Sequence, residues 1–134
     1  MSIFNFGRKS SPKTETGWSD GGFPWQPLHT EFAVDRARTA SNESYVFLFK
    51  HSTRCIISKM VLRDLEAHAA ALSPLGQWYF NDLIADRHVS NHIAQSLSVR
   101  HESPQLIILR DQKVFWNGAH QGVSADQVIN LLRH

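Results

Sequence analysis

The chain has 134 residues, a formal net charge of +2 and a single cysteine. That length supports one domain with a proper core, and a single thiol excludes an internal disulfide and a zinc site built on cysteines. No apolar run approaches the about 18 residues of a membrane span, and no Lys/Arg stripe interleaves with aromatics as nucleic-acid binding would need.

Residues 1–24 are rich in Ser, Gly, Lys and Thr, show no periodicity and read as a flexible tail. Ile3, Phe4 and Phe6 ahead of Arg8 and Lys9 offer a membrane or partner contact, against the plainer reading of a disordered end. The segment lacks the apolar core of a secretory signal, so a cytoplasmic protein is expected, where a lone thiol stays reduced. Residues 25–134 read as a single domain. Pro24 and Pro27 confine the first strand to a short piece at a sheet edge. Thr30 to Ala40 predicts a helix, with Phe32, Ala33, Arg36 and Ala37 at three-and-four spacing. Tyr45 to Phe49 is a continuous apolar run, as in a central strand covered on both faces. The helix after Cys55 carries Leu62, Leu65, Ala69 and Leu72 on one face and stops at Ser73-Pro74-Leu75-Gly76.

Trp78 to Ile84 is the next strand, and Val89, Ile93 and Leu97 mark the next helix. Residues 99–104 are a connector. Gln105 to Leu109 and Val114 to Trp116 flank a turn short enough for an antiparallel hairpin. Asn117 to Gly122 reads as a loop, and Ser124 with Gln127 as a capping box opening a last helix through Val128, Leu131 and Leu132. The order β-α-β-α-β-α-β-β-α predicts an α/β fold around a central mixed sheet. Right-handed crossovers make the early strands parallel, the C-terminal hairpin closes one edge, and helices cover both faces.

The stretch from Tyr45 to Ser58 holds the chemistry. An apolar strand runs through Lys50 and His51, crosses Ser52-Thr53-Arg54 and reaches Cys55 where helical spacing begins. Backbone N–H groups at a helix N-terminus are unpaired and favour an anion, so a thiol there ionises more easily, and the thiolate is the nucleophile. The competing reading is a buried, inert cysteine. His88 and His92 share a helix face at a spacing that suits two metal ligands, but no third ligand is near, so exposed histidines and no metal are expected.

Phe49-Lys50-His51-Ser52-Thr53-Arg54-Cys55 and His101-Glu102-Ser103-Pro104-Gln105 together resemble the YtxJ-type monothiol bacilliredoxins of the thioredoxin-like superfamily, which carry a KHSTxC and an HESPQ stretch at corresponding places. The resemblance covers about residues 25–134. It implies a thioredoxin-like fold in which Pro104 is a cis-proline facing Cys55 and presenting the Ser103 backbone to a mixed disulfide. It also implies that bacillithiol, a thiol built of cysteine, glucosamine and malate, is the co-substrate, with no tightly bound cofactor. Bacillithiolated client proteins and the small thiol are the implied partners. The sequence departs from the family at Ile56, where members commonly have Pro or a small residue; the bulk puts rate and substrate range in question.

On this resemblance the catalytic candidates are Cys55, Ser58 and Pro104, and the substrate-binding candidates are Lys50, His51, Thr53, Arg54, His101, Glu102 and Ser103. Ser58 stands where dithiol relatives have their second cysteine. It is read either as a hydrogen-bond donor to the Cys55 thiolate or as an ordinary first-turn serine. Arg54 and Lys50 would attract the malate carboxylates, against solvated turn charges. His101 and Glu102 tune the thiolate, bind substrate or pair with each other, and the sequence leaves these open. Trp116, Asn117, Gly118 and His120 lie where glutaredoxin-like folds grip a thiol cofactor. The function expected is monothiol thiol–disulfide exchange that removes bacillithiol from proteins. The rivals are a non-catalytic thioredoxin-like binding module with a redox-sensitive cysteine, and a metal or Fe–S carrier.

Overall fold

A computed structural model describes residues 22–133. Of the segment read as a tail, residues 1–21 lie outside the described residues, whereas Phe23 already packs in the core against Trp25 and Trp78. The elements are β1 (Gln26–Pro27), α1 (Glu31–Ala40), β2 (Tyr45–His51), α2 (Ile56–Ala67), α3 (Ala69–Leu72), β3 (Gly76–Asp82), α4 (Arg87–Leu97), β4 (Gln105–Arg110), β5 (Lys113–Ala119) and α5 (Ala125–Leu132). No described helix is long and apolar enough to cross a membrane.

The five strands form one sheet in the order β1-β3-β2-β4-β5, with β1 and β2 parallel to β3 and the β4–β5 hairpin antiparallel. β2 is central, and its side chains alternate between two cores. Phe47 and Phe49 face α2, α3 and α5 in a cluster with Trp78, Leu65 and Val128. Val46 and Leu48 face α1 and α4 with Val34, Val89 and Ile93. Phe47 stacks on Trp78 at 3.9 Å between ring centroids. The Trp78 indole N–H donates to the Leu72 carbonyl, so the large ring is buried without an unpaired donor.

Side-chain caps start two helices. Thr30 accepts from the Ala33 N–H, and Ser124 accepts from that of Gln127. The helix expected from Cys55 to Leu72 is two helices, because His68 leaves helical geometry at φ −109°, ψ 30°. β2 runs past Phe49 to His51, since Lys50 and His51 pair with Asn81 and Asp82. β5 extends through Asn117 and Gly118 to Ala119, so the expected loop shrinks to a short turn at His120–Gly122. The partner strand β4 is buried and fully laddered, and it carries this polar segment into the sheet. The hairpin reverses at Asp111 and Gln112, whose φ values of 54° and 64° give the twist that suits a two-residue turn.

Gly76 begins β3 opposite Tyr45. A Cβ at this position would lie 2.2 Å from the Tyr45 carbonyl oxygen, a backbone atom that cannot swing away. Gly76→Ala should therefore destabilise the fold by about 2–4 kcal/mol by prising β3 from β2. A urea midpoint equal to the parent's would show that this approach is not a constraint.

Candidate active site

The register Lys50↔Gln105 between antiparallel β2 and β4 brings the end of β2 and the beginning of β4 to one end of the sheet. The turn Ser52–Cys55 therefore lies beside the connector 99–104. The Ser103–Pro104 bond is cis, as the resemblance implied. The Pro104 carbonyl accepts from the His120 N–H at 2.9 Å, which pins the connector to the turn that follows β5.

Cys55 is the N-cap of α2, with extended backbone at φ −110°, ψ 121°. Its thiol is free and half-buried. Its N–H donates to the Ser52 carbonyl, and its own carbonyl accepts from Lys59 to open the helix. The first turn of α2 contains no acidic residue. A negative sulfur at this cap would therefore meet unpaired N–H groups and the positive end of the helix dipole with no opposing carboxylate in that turn. Ile56 is 68% exposed and forms a rim next to the thiol. Ile57 in the first turn of α2 and Met60 in the next help line a shallow groove of about 190 Å³ with Gln121 and Val123.

Ser58 is fully buried, and of its two readings the hydrogen bond to Cys55 is corrected. Its hydroxyl oxygen accepts from the Ser52 N–H at 3.0 Å and shares a 2.7 Å hydrogen bond with His51 Nδ1. It ties the helix to the end of β2 and forms no hydrogen bond with Cys55. His51 is sealed between Phe49 and Phe80. Burial lowers its pKa to about 4, with Asp82 partly opposing.

Lys50 is a second correction. Attraction of the malate carboxylates and a solvated turn charge both need an exposed ammonium, yet Lys50 is 0% exposed. Its side chain alternates with His51 and turns to the α4 face, where Nζ donates to the Ser90 carbonyl and to His101 Nδ1, each at 3.1 Å. Burial lowers its pKa to about 8. Thr53 is half-buried, and Arg54 is exposed with no ion-pair partner among the described residues. Glu102 faces His120 at 3.6 Å rather than His101. The Ser103 hydroxyl is buried without a hydrogen-bond partner. His92 binds Asp35 and Glu31 of α1 instead of acting with His88.

The structure adds Ser90 and Asn81, which the sequence reading did not single out. Ser90 lies on the buried face of α4 with Val89, Ile93 and Leu97. A small polar residue on an apolar helical stripe was the available signal. Asn81 is the β3 partner of Lys50 and is fully buried.

His51 gives the fold an acid limit. Between about pH 6.5 and 4 the unfolded chain takes up a proton at His51 that the folded chain refuses. Stability is thus full above pH 6.5 and falls as pH drops through that window, by on the order of 3 kcal/mol from this group. Urea unfolding at pH 7 and pH 4.5 should show a smaller decline for His51→Gln than for the parent. An equal decline in both would assign the acid limit to other groups.

Comparison with known proteins places this arrangement. Among solved structures, a protein described as having a thioredoxin fold superposes with a TM-score of 0.69 at 22% identity, covering 80% of this chain and 92% of that one. Thioredoxin from Trypanosoma brucei brucei gives 0.65 at 14% identity, covering 87% and 98%. Fasciola hepatica thioredoxin gives 0.63 at 13%, covering 80% and 95%. At these identities the likeness shows the fold. The family described as monothiol bacilliredoxin BrxC matches residues 26–128, which include Cys55 and the cis-proline connector. This protein has the thioredoxin fold and belongs to the monothiol bacilliredoxin family.

Proposed function

We propose that this chain is a cytoplasmic monothiol oxidoreductase that removes bacillithiol from protein mixed disulfides through Cys55. The observation that carries the reading is the position of the only thiol in the chain, half-buried at the N-cap of α2 at the end of the sheet that also holds the cis-Ser103–Pro104 bond. Family membership supports the same class of chemistry.

The Cys55 thiolate attacks the bacillithiol sulfur of a client's mixed disulfide. That S–S bond breaks, the client cysteine leaves as a thiolate and takes a proton, and a Cys55–bacillithiol disulfide forms. Free bacillithiol then attacks the bacillithiol sulfur of this adduct. Bacillithiol disulfide leaves and the Cys55 thiolate returns. The second step requires an external thiol because Ser58, with its hydroxyl held by Ser52 and His51, offers no resolving sulfur. Arg54, exposed beside Cys55 in sequence, is a cation available to the malate carboxylates.

Mixing the protein with a bacillithiolated client should give a one-to-one bacillithiol adduct on Cys55 by mass spectrometry, cleared by free bacillithiol. Cys55→Ser should form none while keeping the fold. Regeneration by glutathione should be slower than by bacillithiol. Equal rates would leave a generic monothiol oxidoreductase, and no adduct with either thiol would leave a thioredoxin-like binding module.

A further inference from the structure

The exchange reaction leaves one buried ionisable group without a role. Lys50 stands in a rank with Asn81 and Gln105, its partners on the two flanking strands, and all three are buried. Asn81 Oδ1 and Gln105 Oε1 are buried acceptors with no hydrogen-bond partner. The one carbonyl oxygen that the ammonium reaches directly is that of the Ser90 main chain. Replacing the cation by an apolar group would leave that buried carbonyl without this donor, at a cost in free energy.

The ammonium's other contact sets the state of a residue at the surface. A protonated lysine has donors only, so the His101 Nδ1 that it meets at 3.1 Å must act as an acceptor and carry no proton. Ser90 Oγ lies 3.2 Å from the same nitrogen. The ring is then neutral with its hydrogen on Nε2. Burial, Lys50 and Arg87 of α4 all oppose a second proton, and only Glu102 favours one. His101 is nonetheless exposed, in the connector that ends at the cis-proline.

We propose that Lys50 is a positioning residue that fixes His101 as a neutral Nε2–H donor for a carboxylate of the small thiol. The proposal rests on the exchange reaction above for its substrate. It replaces direct attraction of the carboxylate by Lys50 with a hydrogen bond from His101 that Lys50 orients. A neutral donor does not change with pH across the histidine range, so carboxylate recognition should hold until Lys50 itself loses its proton.

Two measurements test it. Long-range ¹H–¹⁵N correlation spectra report the histidine tautomer without any turnover. His101 should be the Nε2–H form from pH 6 to 7.5, and should become a mixture of tautomers with a higher pKa in Lys50→Met. A protonated or Nδ1–H ring in the parent overturns the proposal whatever the fate of the proposed reaction. In regeneration assays Lys50→Met should raise the KM for bacillithiol about ten-fold more than that for uncharged 2-mercaptoethanol, the worth of one hydrogen bond to a charged group. His101→Ala, at an exposed ring, should show the same selective rise, and the double variant should show no further rise. Equal changes for both thiols would make Lys50 a packing residue only. Should Lys50→Met not fold, the parent spectrum and His101→Ala decide alone. Absence of turnover with every thiol in the parent, with the Nε2–H tautomer present, would strike the exchange reaction and remove the carboxylate role with it.

Discussion

The Ser58 hydroxyl is the fastening on which the site depends. Strand β2 is interior along most of its length, so delivering a thiol from its end to the surface requires an abrupt change of backbone direction. One oxygen accomplishes the join, accepting from the Ser52 N–H and sharing a hydrogen bond with His51 Nδ1. It fixes the distance between the last residue of the strand and the first turn of the helix. Cys55 is left as the cap residue between them. A turn held through a buried side chain is more rigid than one closed by solvent-exposed contacts, and rigidity there keeps the sulfur at the helix end.

The same end of the sheet carries an energetic burden on both faces. His51 is kept neutral among aromatics on one side, while Lys50 keeps an ammonium against the Ser90 carbonyl and His101 on the other. Both groups give up water to be there, and its loss lowers both pKa values. Polar residues at the end of a central strand are a departure from the pattern that Val46 to Phe49 follow. Departures of this kind concentrate where a fold does its chemistry.

Much of this was legible in the sequence. The apolar run at Tyr45 to Phe49 formed the expected strand, longer by Lys50 and His51, and the spacing of Val89, Ile93 and Leu97 formed the expected helix. The Asp-Gln reversal needed only a short gap between two apolar stretches. What escaped is long-range. Lys50 looks like a charge at the end of a run until β3, β4 and α4 close over it, and no local pattern reveals that three later elements cover one side chain. The hydroxyl of Ser58 is likewise within reach of both Cys55 and His51 along the chain. Its choice depends on the curvature of the turn. The extension of β5 through Asn117 and Gly118 reflects the ladder offered by β4, which overrides two residues that favour loops.

A buried hydroxyl where dithiol relatives keep a second sulfur has a consequence for electron accounting. No internal disulfide is available, so the single sulfur can be held oxidised as a disulfide only with a thiol from outside the domain. The protein therefore has no dithiol couple of its own to set against the surrounding pool. In the exchange proposed above, the direction would be set by the ratio of free thiol to its disulfide outside. On that reaction a reduced pool clears clients, and an oxidised pool runs the same exchange backwards and loads them.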